Sequence, residues 1–164
     1  MRITAITLIS FLTFATNNAN AELKATSPIE VCAYMKDSGL STRGWKNKYD
    51  DVFGCSSSYK EIGSGFPLSN NLAYYVEGNS KAVSEVKLVL NVNNRELAKS
   101  AQEELLKTVE VLNLKTTGQK LPQVLKDAIK TGKNATAKAG SVSIEIVRED
   151  WSSGKGYELK ISIK

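Results

Sequence analysis

The 164-residue chain has no histidine, two cysteines, three prolines and only 7% aromatic residues. The missing histidine excludes proton transfer through imidazole and metal sites built on imidazole nitrogens. Two cysteines are too few for a disulfide-dense miniprotein. No apolar run approaches the about 20 residues needed to cross a ~30 Å hydrocarbon core, so no transmembrane segment is expected in the mature chain. Neither an internal repeat nor a low-complexity tract is present. What remains, 41% hydrophobic and 24% charged residues, is the profile of one globular domain.

The first residues read as an export leader. Arg2 supplies a positive charge, Ile3 to Ala15 is apolar or hydroxylated, and Ala19-Asn20-Ala21 has the small-x-small form that a signal peptidase cleaves. The expectation is a signal peptide over 1–21, a single domain over 22–164, and a periplasmic or secreted product. In that oxidising setting Cys32 and Cys55 are predicted to pair.

Ser27, Pro28 and Glu30 announce a helix over about 28–38, with Ile29, Cys32 and Ala33 at helical spacing and Gly39 as its stop. The stretch 40–69, rich in Gly, Ser and Asn, reads as a long covered loop tied back by Cys55. Residues 72–77 and 85–93 form a hairpin about Gly78-Asn79-Ser80, in which Val86, Leu88, Leu90 and Val92 alternate with residues that include Glu85, Lys87 and Asn91. Asn93 or Asn94 caps a helix over about 95–114 with the stripe Leu97, Ala101, Leu105, Val109 and Leu112. A second helix over about 122–131 carries Val124, Leu125, Ala128 and Ile129 and stops at Gly132. Alternation over 141–148 and 157–164 gives a second hairpin, preceded by a short strand near 135–138. The fold class expected is α+β: an antiparallel sheet with two or three helices on one face and one disulfide.

Catalytic signals are weak. Ser57-Ser58-Tyr59-Lys60, Ser69-Asn70-Asn71 and Lys130-Thr131-Gly132 imitate the S-x-x-K, S-x-N and K-T-G fragments of serine acyl-enzymes. However, Ser57 lies in a stretch without helical periodicity, Ser69 follows it by only 12 residues, and the last triplet ends a predicted helix. Asp50-Asp51 and Glu149-Asp150 could supply paired carboxylates, yet nothing nearby offers the apolar wall that separates two pKa values. No enzyme activity, cofactor or metal is expected.

Charge carries more information. Between residues 111 and 139 stand six lysines, Lys115, Lys120, Lys126, Lys130, Lys133 and Lys138, against one acidic residue. This segment could bind an anionic polymer or a membrane surface. The stretch 43–53 mixes Arg43, Lys46 and Lys48 with Trp45 and Tyr49, the residue types that dominate protein interfaces. Without an aromatic RNA-binding pattern, nucleic acid is not expected as a partner. The expected function is an exported, non-enzymatic domain that binds another envelope or secreted protein. An inhibitor or immunity factor, or an accessory subunit of a secretion or conjugation apparatus, would suit it. The alternative is a binder of an anionic envelope polymer.

Overall fold

The computed structural model describes residues 23–66 and 68–164; the expected leader and its cleavage site lie outside the described residues. Eight strands form one antiparallel sheet: β1 (Thr42–Tyr49), β2 (Val52–Ser57), β3 (Lys60–Ile62), β4 (Asn70–Gly78), β5 (Val83–Val92), β6 (Ala135–Ala139), β7 (Val142–Asp150) and β8 (Tyr157–Ile163). The spatial order is β1-β2-β4-β5-β8-β7-β6, with β3 beside β4. Three helices, α1 (Pro28–Ala33), α2 (Ala98–Thr117) and α3 (Gln123–Thr131), lie on one face. The α+β class, the helices and the disulfide agree with the sequence expectation.

Alternation explains the one-sided cover. Leu72, Tyr74 and Val76 of β4, Val86, Leu88, Leu90 and Val92 of β5, and Leu159, Ile161 and Ile163 of β8 are fully buried under the helices. From α2 come Ala101, Leu105, Val109 and Leu112, and from α3 Leu125 and Ile129. A strand side chain returns to the same face every second residue, so this apolar set leaves its polar neighbours on the other face. Asn94 caps the 3-10 turn Arg95–Leu97 that leads into α2, accepting a hydrogen bond from the Glu96 amide at 2.9 Å. At the β4–β5 turn, the Asn79 side chain accepts from the amides of Lys81 and Ala82 at 2.8 and 2.9 Å. Gly78 is required there, because a Cβ would stand 2.1 Å from the Ala82 carbonyl oxygen.

Three expectations need correction. The stretch 40–69 is not a loop but holds β1, β2 and β3. The first helix is α1 plus a separate 3-10 turn over Lys36–Ser38. The segment 28–38 buries Val31, Cys32 and Met35 and leaves Ile29 and Ala33 exposed, and Tyr74 donates to the Val31 carbonyl at 2.9 Å. In α3, Val124 is 55% exposed, lying outside the stripe set by Leu125, Ala128 and Ile129.

Cys32 and Cys55 are bonded and join α1 to β2 across 23 positions of sequence. Closing such a loop stabilises a fold by about 3 kcal/mol in the chain-entropy account. A Cys32→Ser, Cys55→Ser double variant is expected to lose about that much in urea unfolding, with β1 and β2 losing hydrogen-exchange protection first. An unchanged midpoint would contradict this role.

A candidate interface at the β1 edge

β1 and β2 are joined by the two residues Asp50 and Asp51, with Asp50 at φ 41° and its carbonyl accepting from the Asn47 side chain at 2.7 Å. The ladder slips twice, between Arg43 and Lys46 and between Asn47 and Tyr49. Residues three apart on a regular strand face opposite ways, whereas a bulge inserts one extra residue and restores a common face. Arg43 opposes Ser56 and Lys46 opposes Gly54, and both therefore stand on the uncovered face of the sheet. Lys48 joins them: a Cβ on Gly54 would lie 2.7 Å from Lys48 Cε, so this glycine gives the lysine room to cross the sheet.

The three cations border a concavity of about 330 Å³ completed by Gly54, Ser56, Ser58 and Tyr59, and no acidic residue lines it. Elsewhere the uncovered face is neutralised in pairs. Glu77 meets Lys87 at 2.6 Å and Lys48 at 3.5 Å, Glu85 meets Lys87 and Lys164, and Lys160 meets Glu158 at 3.1 Å. Arg43 and Lys46 form no ion pair among the described residues. Two of the three positive charges at this end of the face are thus uncompensated, and the third, Lys48, reaches Glu77. Lys48 also lies 5.8 Å from the centre of the Tyr75 ring, whose phenol is pushed up by burial and by its contact with Tyr59.

The five residues singled out in this stretch do not share one surface. Arg43, Lys46 and Lys48 do, Tyr49 sits 60% exposed at the hairpin tip, and Trp45 points to the helix side. There Trp45 lines an apolar groove of about 360 Å³ between α1 and β1, with Ile29, Cys32, Ala33 and Gly44. Its indole N–H has no acceptor among the described residues. Sequence reasoning missed Ser56, Ser58 and Tyr59, whose only signal was a hydroxyl run of the kind common in any loop.

The lysine-rich segment is dispersed. Lys115 on α2 donates to the Tyr34 carbonyl at 2.7 Å and Lys126 on α3 pairs with Glu110. Lys130 ends α3, Lys120 and Lys133 are exposed in the connections that flank it, and Lys138 lies on β6, the edge opposite β1.

The fragments with catalytic precedent are not brought together. Ser57 Oγ accepts from the Tyr74 amide at 3.0 Å, while Lys60 is committed to the Ser38 carbonyl and Glu104 at 3.1 and 2.8 Å. Thr131 bonds back to the Asp127 carbonyl at 2.8 Å. Asp150 is clamped instead by Arg148 and Arg95, at 2.7 and 2.9 Å, and Arg148 stacks 3.8 Å from the centre of the Tyr157 ring. Tyr157 in turn meets the Gln102 amide at 3.0 Å, tying α2 to β8. Hydrogen bonding from Arg148 holds the Asp150 carboxyl below its usual range. Among the described residues no three His, Cys, Asp or Glu converge as a metal site, and no helix is long and apolar enough to cross a membrane.

Fold and site together define a disulfide-tied α+β domain with a basic edge. Residues 21–153 match the model described as a family of unknown function (DUF6030), and the chain belongs to that family. Comparison with curated proteins and with solved structures gave no match.

Glu77 of β4 stands between Lys48 and Lys87 on the uncovered face. Burial raises its pKa, but hydrogen bonding and attraction from Lys87 and Lys48 outweigh this and leave it below the ordinary 4.5. Its contribution to stability is therefore present above pH 4.5 and is lost as pH falls through the lower folded value. Glu77→Gln is expected to cost up to about 1 kcal/mol at pH 7, with the difference from wild type shrinking in acid. Equal losses at pH 7 and pH 3 would show that the carboxylate charge is not what matters.

Proposed function

We propose that this protein is a non-catalytic binding domain of the cell envelope that recognises an acidic stretch on a partner protein through Arg43, Lys46 and Lys48. The observation that carries the reading is the concavity at the β1 end, where three cations converge and Arg43 and Lys46 form no ion pair among the described residues, while Glu77, Glu85 and Lys160 are paired on the neighbouring strands. Clustered uncompensated charge steers an oppositely charged partner and sets its register. An extracytosolic setting, periplasmic or secreted, is supported by the formed Cys32–Cys55 bond, since disulfides persist where thiols are not kept reduced. The non-catalytic reading is supported by the commitments of Ser57 and Lys60 to unrelated partners. Binding of an anionic polymer along the lysine-rich segment has less support, because Lys115 and Lys126 are engaged internally and Lys138 lies on the far edge.

Poly-L-glutamate is a suitable probe. The disulfide-intact protein is expected to bind it with an affinity that falls as salt rises, and an Arg43→Glu, Lys46→Glu variant should bind about tenfold more weakly at low salt. A Lys130→Glu, Lys133→Glu variant should stay close to wild type. The opposite ranking of the two variants, or no binding at low salt, would overturn the reading.

A further inference from the structure

β1 is the edge of the sheet and pairs only with β2 among the described residues. An edge strand presents a row of backbone N–H and C=O groups that a further strand can use. The two flanks of β1 differ in chemistry. On the uncovered face stand Arg43, Lys46 and Lys48. On the helix side runs the α1–β1 groove, its lining mostly apolar, where Ile29 is left 85% exposed next to Trp45.

A strand laid beside β1 would send successive side chains to these two flanks in turn, because its residues alternate between faces. We propose that the partner's segment binds as an added β-strand on β1, with acidic residues at alternate positions meeting Arg43, Lys46 and Lys48 and aliphatic residues between them entering the groove. The proposal rests on the acidic-partner reading above and specifies how that partner is held. Lysines and bulges on an edge strand ordinarily deter pairing. Here they deter neutral and basic strands, while an acidic strand gains from the same charges. The bulges between Arg43 and Lys46 and between Asn47 and Tyr49 also break the edge into short regular runs. The added strand is therefore held by a few backbone bonds, and the side-chain alternation supplies its register.

The test uses an amidated octapeptide alternating glutamate with valine and carrying fluorescein at its N-terminus, its binding to the disulfide-intact protein followed by fluorescence anisotropy. Two further versions carry N-methyl groups on alternate backbone amides, one in each phase. Alternate amides of an extended peptide point to the same side, so the phase facing β1 should weaken binding about tenfold and the other should not. Ile29→Ser, at an exposed position where the fold is not at stake, should weaken the octapeptide about fivefold and leave poly-L-glutamate binding unchanged. Equal binding of both methylated phases, an unaltered octapeptide affinity in Ile29→Ser, or capture of poly-L-glutamate but not of the octapeptide would overturn strand addition while leaving the acidic-partner reading in place. Failure to bind either probe would remove both.

Discussion

The bond between Cys32 and Cys55 holds together a part of the molecule that has little else to hold it. β1 is exposed along most of its length, and the deep core lies under α2 and α3, around β4, β5, β7 and β8. The ribbon of β1 and β2 reaches that core chiefly through Cys55, pairing with β4, and a half-buried Trp45. The disulfide ties this ribbon to α1, which is itself fixed by the Tyr74 hydroxyl at the Val31 carbonyl. Cys32 lines the apolar groove and Cys55 lines the basic concavity, so one covalent link sets the spacing of both flanks of the edge. Entropy removed from the unfolded chain thereby orders an exposed surface that hydrophobic burial alone would leave loose.

A second constraint follows from covering only one side of a wide sheet. The uncovered side must be polar, and over most of its width this face solves the problem with cross-strand ion pairs centred on Glu77, Glu85 and Lys160. Such pairs contribute little to stability individually, yet they leave the face nearly neutral. Against that background Arg43 and Lys46 of β1 stand out by forming no ion pair among the described residues, while Lys48 reaches Glu77. On the helix side, Arg148 and Arg95 share Asp150 and lie over Tyr157, so two positive charges there are spent on joining β7 and β8 to the turn that precedes α2. The difference between the two clusters is one of pairing, which a net charge does not report.

The elements legible in the sequence were those with a buried stripe. β5 and β8 alternate because one face of each packs against helices, and α2 repeats Ala101, Leu105, Val109 and Leu112 because that side meets the sheet. β1 carried no such signal: both of its faces are largely solvated and two bulges break its period, so the segment 40–69 resembled a loop. The same bulges explain why residues 43–49 were recognisable as contact types but not as two opposite surfaces. In the short helices α1 and α3 the misplaced residues, Ile29 and Val124, lie one step off the true stripe, which tertiary anchors such as the Tyr74 hydroxyl select. The lysine count over 111–139 was correct as a number, but the six lysines are divided among α2, α3, the connections that flank α3, and β6.

Recognition at the β1–β2 end, as proposed, can be read from backbone amide shifts followed by NMR during titration with an acidic peptide. Perturbations are expected to concentrate in residues 43–48 and 54–59 and to vanish after reduction of the disulfide. Perturbations concentrated on residues 120–138, with β1 and β2 silent, would show that binding lies elsewhere.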